Sequence, residues 1–307
     1  MSALEQHLAV YLRLRRGLGY KLDRDGQILP RLIAHVYAAG ASTITAQLAI
    51  EWAASTGAAP RTCAARLASA RGFAAYVQTI DPSTEVPPAG VFCARYQRPA
   101  PYLWAPVDTR RLLDAAAALE PPIKAATMQA LFGLLTVTGM RVGEVVALGR
   151  DDVDLAAGVI CVGQQTAKHQ RARLLPLHPT SVDALRDYAR TRDRLCPHPS
   201  AQTFFVTAGG NALDRHAVSR AMKRLTIGLG LRTDTIRPRS HDLRHSFAVR
   251  TLIDCQQAGE RVDDRIAALS TYLGHVAPSD TYWYLSATPE LMGLAAERLE
   301  DRFGVRS

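Results

Sequence analysis

The sequence has no uninterrupted apolar run near the roughly 20 residues that a helix needs to cross a bilayer, so no helical membrane span is expected. Its five cysteines, Cys63, Cys93, Cys161, Cys196 and Cys255, lie at least 30 residues apart. That spacing holds neither a C-x-x-C pair nor a disulfide framework, and free thiols follow. Cys196 and His198 form a lone C-P-H with no second cluster to complete a tetrahedral site, so neither a metal nor a cofactor is expected. There is no internal repeat and no low-complexity tract. The opening stretch MSALEQHLAVYLRLRRGLGYK lacks the basic, then apolar, then small order of a secretory signal, which makes the cytoplasm the expected location. Acidic residues are also short: 28 Asp and Glu face 37 Lys and Arg, a formal charge of +9. Residues 1–104 hold 11 basic against 6 acidic side chains and the remainder 26 against 22, so both parts are basic. Such a balance favours a polyanionic partner through charge neutralisation and counterion release.

What is present is a chain of 307 residues, 48% apolar, enough for two ordinary domains. The first 80 residues read as helices: EQHLAVYLRLRRGLGYKL repeats Leu8, Leu12 and Leu18 with Arg13, Arg15 and Arg16 between them, and RTCAARLASARGFAAYVQ carries Arg61, Arg66 and Arg71. From Asp81 to Pro106 the pattern gives way to proline-rich DPSTEVPPAG and RPAPYLWAP, where a linker is expected. Beyond it, ATMQALFGLLTVTG reads as a helix closed by Gly139, and MRVGEVVAL begins another. In GVICVGQQTAKHQRARLLPL two β-prone runs flank a polar tip, which predicts a hairpin. TFFV reads as a short strand. DRHAVSRAMKRLTIGLG reads as a helix with Ala217, Val218, Ala221, Met222 and Leu225 on one side and His216, Arg220, Lys223 and Arg224 on the other. The charged side is either a stripe for a phosphate backbone or a solvated face.

Three stretches stand out together: TGMRVGEVVAL at 138–148, HDLRHSFAVR at 241–250 and LGHVAPSDTYWY at 273–284. An arginine after a T-G turn, then H-x-x-R, then L-G-H and a tyrosine nine residues past that histidine, resembles the tyrosine recombinase (phage integrase) superfamily. The likeness extends over about 106–307, and the helical N-terminal part resembles the core-binding domain of such enzymes. It implies a mainly α protein: a helical core-binding domain at 1–95, a linker at 96–106, and at 107–307 a mostly helical catalytic domain with a small antiparallel β-sheet and a C-terminal exchange helix.

Carried over residue by residue, the resemblance makes Arg141 the first arginine, His241 and Arg244 the H-x-x-R pair, His275 the L-G-H histidine and Tyr284 the nucleophile. Lys168, eight residues before Pro176, matches the hairpin lysine, although Ala167 and His169 replace the family's glycines and leave Arg171 or Arg173 as candidates for part of its work. Glu144, three residues after Arg141, either orients that guanidinium or forms a simple surface pair. Tyr272 and Tyr282 are expected to pack, since Tyr282 falls two residues short of the family interval. TPELMGLAAERLEDRF, with Pro289 at its start and Leu291, Leu294, Ala295 and Leu299 on one stripe, is expected as a helix that docks on a neighbouring protomer or back on its own domain.

The residue types suit the implied chemistry. Attack on a phosphodiester builds negative charge on two non-bridging oxygens, which two always-charged guanidiniums can clamp. Imidazoles that titrate near neutrality can donate to the same phosphate or accept the tyrosine proton. A phenol with an ordinary pKa near 10 needs such a positive setting to become a nucleophile. The implied function is site-specific DNA recombination, of the integrase or transposase type, through a 3′-phosphotyrosyl intermediate, with Lys168 as general acid and without metal or ATP. The implied partners are double-stranded DNA with inverted core-site repeats, further copies of the chain in a dimer to tetramer on that DNA, and accessory proteins, all at a bacterial nucleoid. Candidate DNA contacts are Arg13, Arg15, Arg16, Arg66, His216, Arg220, Lys223 and Arg224. Two rivals remain at this point: a type IB topoisomerase-like relaxing enzyme, and a DNA-binding accessory protein of the same fold without activity.

Overall fold

A serine followed three residues later by a glutamate starts the first helix: the Ser2 hydroxyl accepts the Glu5 N–H at 3.3 Å and the Glu5 carboxylate accepts the Ser2 N–H at 2.7 Å. The computed structural model describes residues 2–55, 57–92, 100–163, 172–275, 279–282 and 293, which fall into two compact units, Met1–Pro99 and Ala100–Ser307.

The first unit holds α1 (Ala3–Gly17), α2 (Asp23–Ala38), α3 (Ala46–Ala54) and α4 (Pro60–Gln78). Leu4, Leu8, Tyr11, Leu32, Phe73 and Val77 belong to its core. Leu18, expected within the apolar repeat of α1, is instead the C-cap and 67% exposed. Six residues separate it from Leu12, which turns it well away from the stripe that Leu4, Leu8 and Tyr11 form.

The second unit runs α5 (Pro106–Ala117), α6 (Pro122–Thr138), α7 (Val142–Ala147), β1 (Val153–Asp154), β2 (Val159–Val162), β3 (Arg173–Pro176), α8 (Pro179–Leu195), α9 (Arg215–Gly228), α10 (Ser240–Gln257), α11 (Val262–Leu273) and α12 (Ser279–Tyr282). Proline opens α4, α5, α6 and α8, where its missing N–H costs nothing. Among the described residues the fold is mainly helical with one small antiparallel sheet, as the sequence implies.

Helix α6 is apolar on nearly all sides and lies against α5, α8 and α10 at the centre of this unit. The hairpin forms in the register Ile160↔Leu175 and Val162↔Arg173, with Ile160, Val162 and Leu175 buried; its tip, 164–171, lies outside the described residues. The TFFV segment is not a strand. It makes only isolated bridges, Gly149↔Thr203 and Val206↔Ala212, and Phe204, Phe205 and Val206 are all buried, with both phenylalanine rings against Tyr188. Trp104, ahead of α5, is tied to α10: its N–H donates to Ser246 Oγ at 2.8 Å and its carbonyl accepts from Arg250 at 2.8 Å.

Candidate active site

Two glycines bring the site's segments into place. Gly139 ends α6 in the left-handed region at φ +61°, and a Cβ there would stand 2.5 Å from Cδ1 of Phe247 on α10. The chain then reverses so that Arg141 stands at the start of α7, where its N–H donates to Glu144 at 2.9 Å. Gly274 ends α11 at φ +66°, with the Gly274 N–H on the Thr271 carbonyl at 3.0 Å and the His275 N–H on the Ser270 carbonyl at 3.0 Å. This closure delivers His275 directly past the helix end and turns out the last carbonyls, the negative end of the helix dipole.

Three guanidiniums take three successive carbonyls there. Arg173 Nε donates to Tyr272 at 2.8 Å, Arg244 Nη2 to Leu273 at 2.8 Å and Arg141 Nη2 to Gly274 at 3.0 Å. Arg244 also donates to the Gly139 carbonyl at 2.8 Å and is 1% exposed, so it ties the ends of α6 and α11 together. Its helix, α10, begins where buried Asp242 accepts the Arg239 N–H at 2.7 Å and its guanidinium at 2.9 Å. His241 is exposed at the same helix start, and its ring meets that of buried His245 edge-on, with centroids 4.6 Å apart. His275 Nδ1 pairs with Oγ1 of buried Thr281 at 2.7 Å.

Glu144 is the acidic hub among these cations. It receives Arg141 Nη1 at 3.0 Å and Arg173 Nη1 and Nη2 at 3.2 and 2.9 Å. Burial alone would raise its pKa, but the hydrogen bonds from Arg173 and from the Arg141 N–H, with the charges of both arginines, outweigh burial and hold the carboxyl below its ordinary value. Glu144 is buried, so the surface-pair alternative does not apply. Burial raises the pKa of Tyr272 against the opposing charge of Arg173; the ring stacks on Phe247, as expected of a packing residue. Arg141, Arg244 and His275, far apart in the sequence, are thus assembled around one helix end, with His241 one turn before Arg244.

The phage integrase family model matches residues 106–290 of the chain. The chain belongs to that family. It is 39% identical to the y4rB protein of Sinorhizobium fredii, named an integrase/recombinase, over 100% of both chains. It is 37% identical to the tyrosine recombinase XerD of Lacticaseibacillus casei over 125 residues, 40% of this chain and 41% of that one. Among solved structures, the Tn1549 transposon integrase in complex with transposon right end DNA aligns over 97% of this chain and 99% of its own, with a TM-score of 0.67 at 18% identity. These are the tyrosine recombinases, whose shared work is site-specific DNA recombination.

The other candidates in this integrase-family chain are placed as follows. Lys168, Arg171 and Tyr284 lie outside the described residues, as does the C-terminal stretch 289–299 apart from Gly293. Tyr282, expected to pack, is 50% exposed on the one-turn helix α12. On α9, Val218, Ala221, Met222 and Leu225 are buried and His216, Arg220, Lys223 and Arg224 exposed, as the charge pattern predicts. Arg220 and Arg224 also line a cavity of about 390 Å³ with Lys124. In the first unit Arg13 and Arg16 are exposed, Arg15 lies 4.0 Å over the Tyr20 ring, and Arg66 is half-buried beside Arg31 and His35.

The sequence left Arg173, like Arg171, only as a candidate for part of the work of Lys168. A sharper signal was available: residues two apart on a strand share a face, so Arg173 sits on the face of the fully buried Leu175, where a charge needs a partner.

Proposed function

We propose that this chain is a site-specific DNA recombinase of the integrase or transposase type, which cleaves and rejoins strands through a phosphotyrosyl intermediate at Tyr284. The convergence of Arg141, Arg244 and His275 on the C-terminal end of α11, ahead of a tyrosine nine residues on, carries this reading. Arg141 and Arg244 bind the two non-bridging oxygens of the scissile phosphate, where charge grows as the phosphorus becomes pentacoordinate. The Tyr284 oxygen attacks after giving its proton to a histidine of the site; the bond from phosphorus to the 5′ oxygen breaks; and Lys168 supplies the proton that the departing 5′-hydroxyl needs. With Nδ1 of His275 engaged by Thr281, its phosphate contact falls to Nε2. The new ester keeps the energy of the broken bond, so a second 5′-hydroxyl reseals it without ATP. The guanidiniums provide the charge compensation that a metal would otherwise bring.

The substrate is double-stranded DNA with inverted core-site repeats, on which copies of the chain assemble as a dimer to tetramer, and the setting is the bacterial cytoplasm. Accessory proteins are further partners, and the segment 289–299 links neighbouring copies. The proposed division of the chain is 1–95 for DNA clamping, 96–106 as linker and 107–307 for catalysis. The likeness to the y4rB protein and to a transposon integrase supports a mobile element as the source of the substrate.

The test is a nicked duplex that carries the repeat at the border of the DNA element encoding the chain, on which the cleaved strand cannot be resealed. A covalent adduct is expected with wild type and Tyr282→Phe and none with Tyr284→Phe. An adduct that persists in Tyr284→Phe overturns the assignment of the nucleophile, and none with wild type favours the inactive accessory protein. Relaxation of supercoiled plasmid lacking the repeat would favour the topoisomerase-like rival.

A further inference from the structure

Arg173 has no role in the reaction just described, yet it is far more constrained than Arg141. Its side chain is 10% exposed, its two terminal nitrogens grip both oxygens of Glu144, and its Nε holds the Tyr272 carbonyl at 2.8 Å. The Arg141 side chain, by contrast, is 31% exposed and reaches the same carboxylate through Nη1 alone, at 3.0 Å.

We propose that Arg173 is a positioning residue that aims Arg141 at the scissile phosphate and keeps its charge available to it. This rests on the recombinase reading above. Two physical effects combine. Glu144 alone could swing with its short helix; a two-toothed guanidinium from β3 fixes both carboxylate oxygens, and these fix the Arg141 N–H and Nη1. Glu144 alone would also neutralise Arg141. With Arg173 sharing the carboxylate, two cations face one anion and a net positive charge remains for the phosphate. Arg173 further joins the hairpin strand to the helix end that precedes His275, and a Cβ at Gly274 would meet Arg173 Nη1 at 2.7 Å, so the contact requires glycine there.

The measurement is single-turnover adduct formation by the full chain on the nicked border-repeat duplex, with either a normal phosphate or a methylphosphonate at the scissile position. The methylphosphonate removes the charge that Arg141 is aimed to balance. Arg173→Met is expected to slow the normal phosphate by about a hundredfold and the methylphosphonate by only a few-fold. Arg173→Lys, which keeps the charge without the fork, is expected to fall between wild type and Arg173→Met and to show the same imbalance. DNA binding by titration stays within a few-fold of wild type. A merely structural role slows both substrates alike, and equal losses or no loss in the variants overturn the inference. If Arg173→Met does not fold, the comparison of the two substrates is decided on Arg173→Lys. Wild type that forms no adduct on the normal duplex overturns the recombinase reading itself.

Discussion

Glu144 shows how one carboxylate organises a positive site. Its pKa is held below that of an ordinary glutamate, so the unfolded chain binds its proton more readily than the folded one. The stability it contributes is therefore fully present above the ordinary glutamate value, about 4.3, and is lost as pH falls through the lower folded value. Glu144→Gln leaves the Arg173 guanidinium buried without its anion and is expected to cost about 3 to 5 kcal/mol at neutral pH. Denaturant titrations at a series of pH values should show the gap between wild type and Glu144→Gln closing as pH falls below 4.3. A gap independent of pH would mean that charge is not what Glu144 contributes. The sequence pairs Glu144 with Arg141 through their three-residue spacing, but it contains nothing that points Arg173 to the same carboxylate, since 29 residues separate the two.

At the scale of elements, the site depends on helix ends more than on helix bodies. The C-terminus of α6 lies against α10 because Gly139 has no side chain to strike Phe247. Gly139→Ala combines left-handed strain of about 1 to 2 kcal/mol with a displaced Phe247. Its expected result is a lower unfolding midpoint together with slower adduct formation, because the Gly139 carbonyl is an acceptor of Arg244. Unchanged adduct formation in a destabilised Gly139→Ala would separate the packing from the site. A helix end was legible where glycine marked it, at Gly139, and signals of the same kind, a capping serine at Ser2 and a proline at Pro122, stand at helix starts. TFFV failed as a strand because local β propensity does not tell whether a partner strand lies alongside, and the segment finds only the isolated bridges to Gly149 and Ala212.

For the molecule as a whole, basic charge is distributed over both units rather than gathered in one tail. The exposed face of α9 offers the simplest test of where DNA lies. If Lys223 contacts a phosphate, Lys223→Ala should weaken binding about equally for all sequences and reduce the slope of log affinity against log salt by roughly 1. An unchanged slope would identify the face as solvated only. The amphipathic arrangement of α9 was readable because charged and apolar residues separate at helical spacing; its use by a ligand was not, because a solvated face and a phosphate-tracking face have the same pattern.

The sequence by itself determined the inventory and the order: a basic, mainly helical chain with one hairpin, an arginine after a T-G turn, H-x-x-R, and L-G-H before a tyrosine. These features are local or depend on spacing along the chain, so a single strand of text carries them. Only the tertiary structure decided that Arg141, Arg173 and Arg244 meet on three consecutive carbonyls at the C-terminal end of α11, across separations of 133, 99 and 29 residues. A guanidinium satisfies itself on any carbonyl or carboxylate that packing brings near, and the choice of acceptor is made by how α6, α7, β3, α10 and α11 pack together, which no residue in isolation encodes.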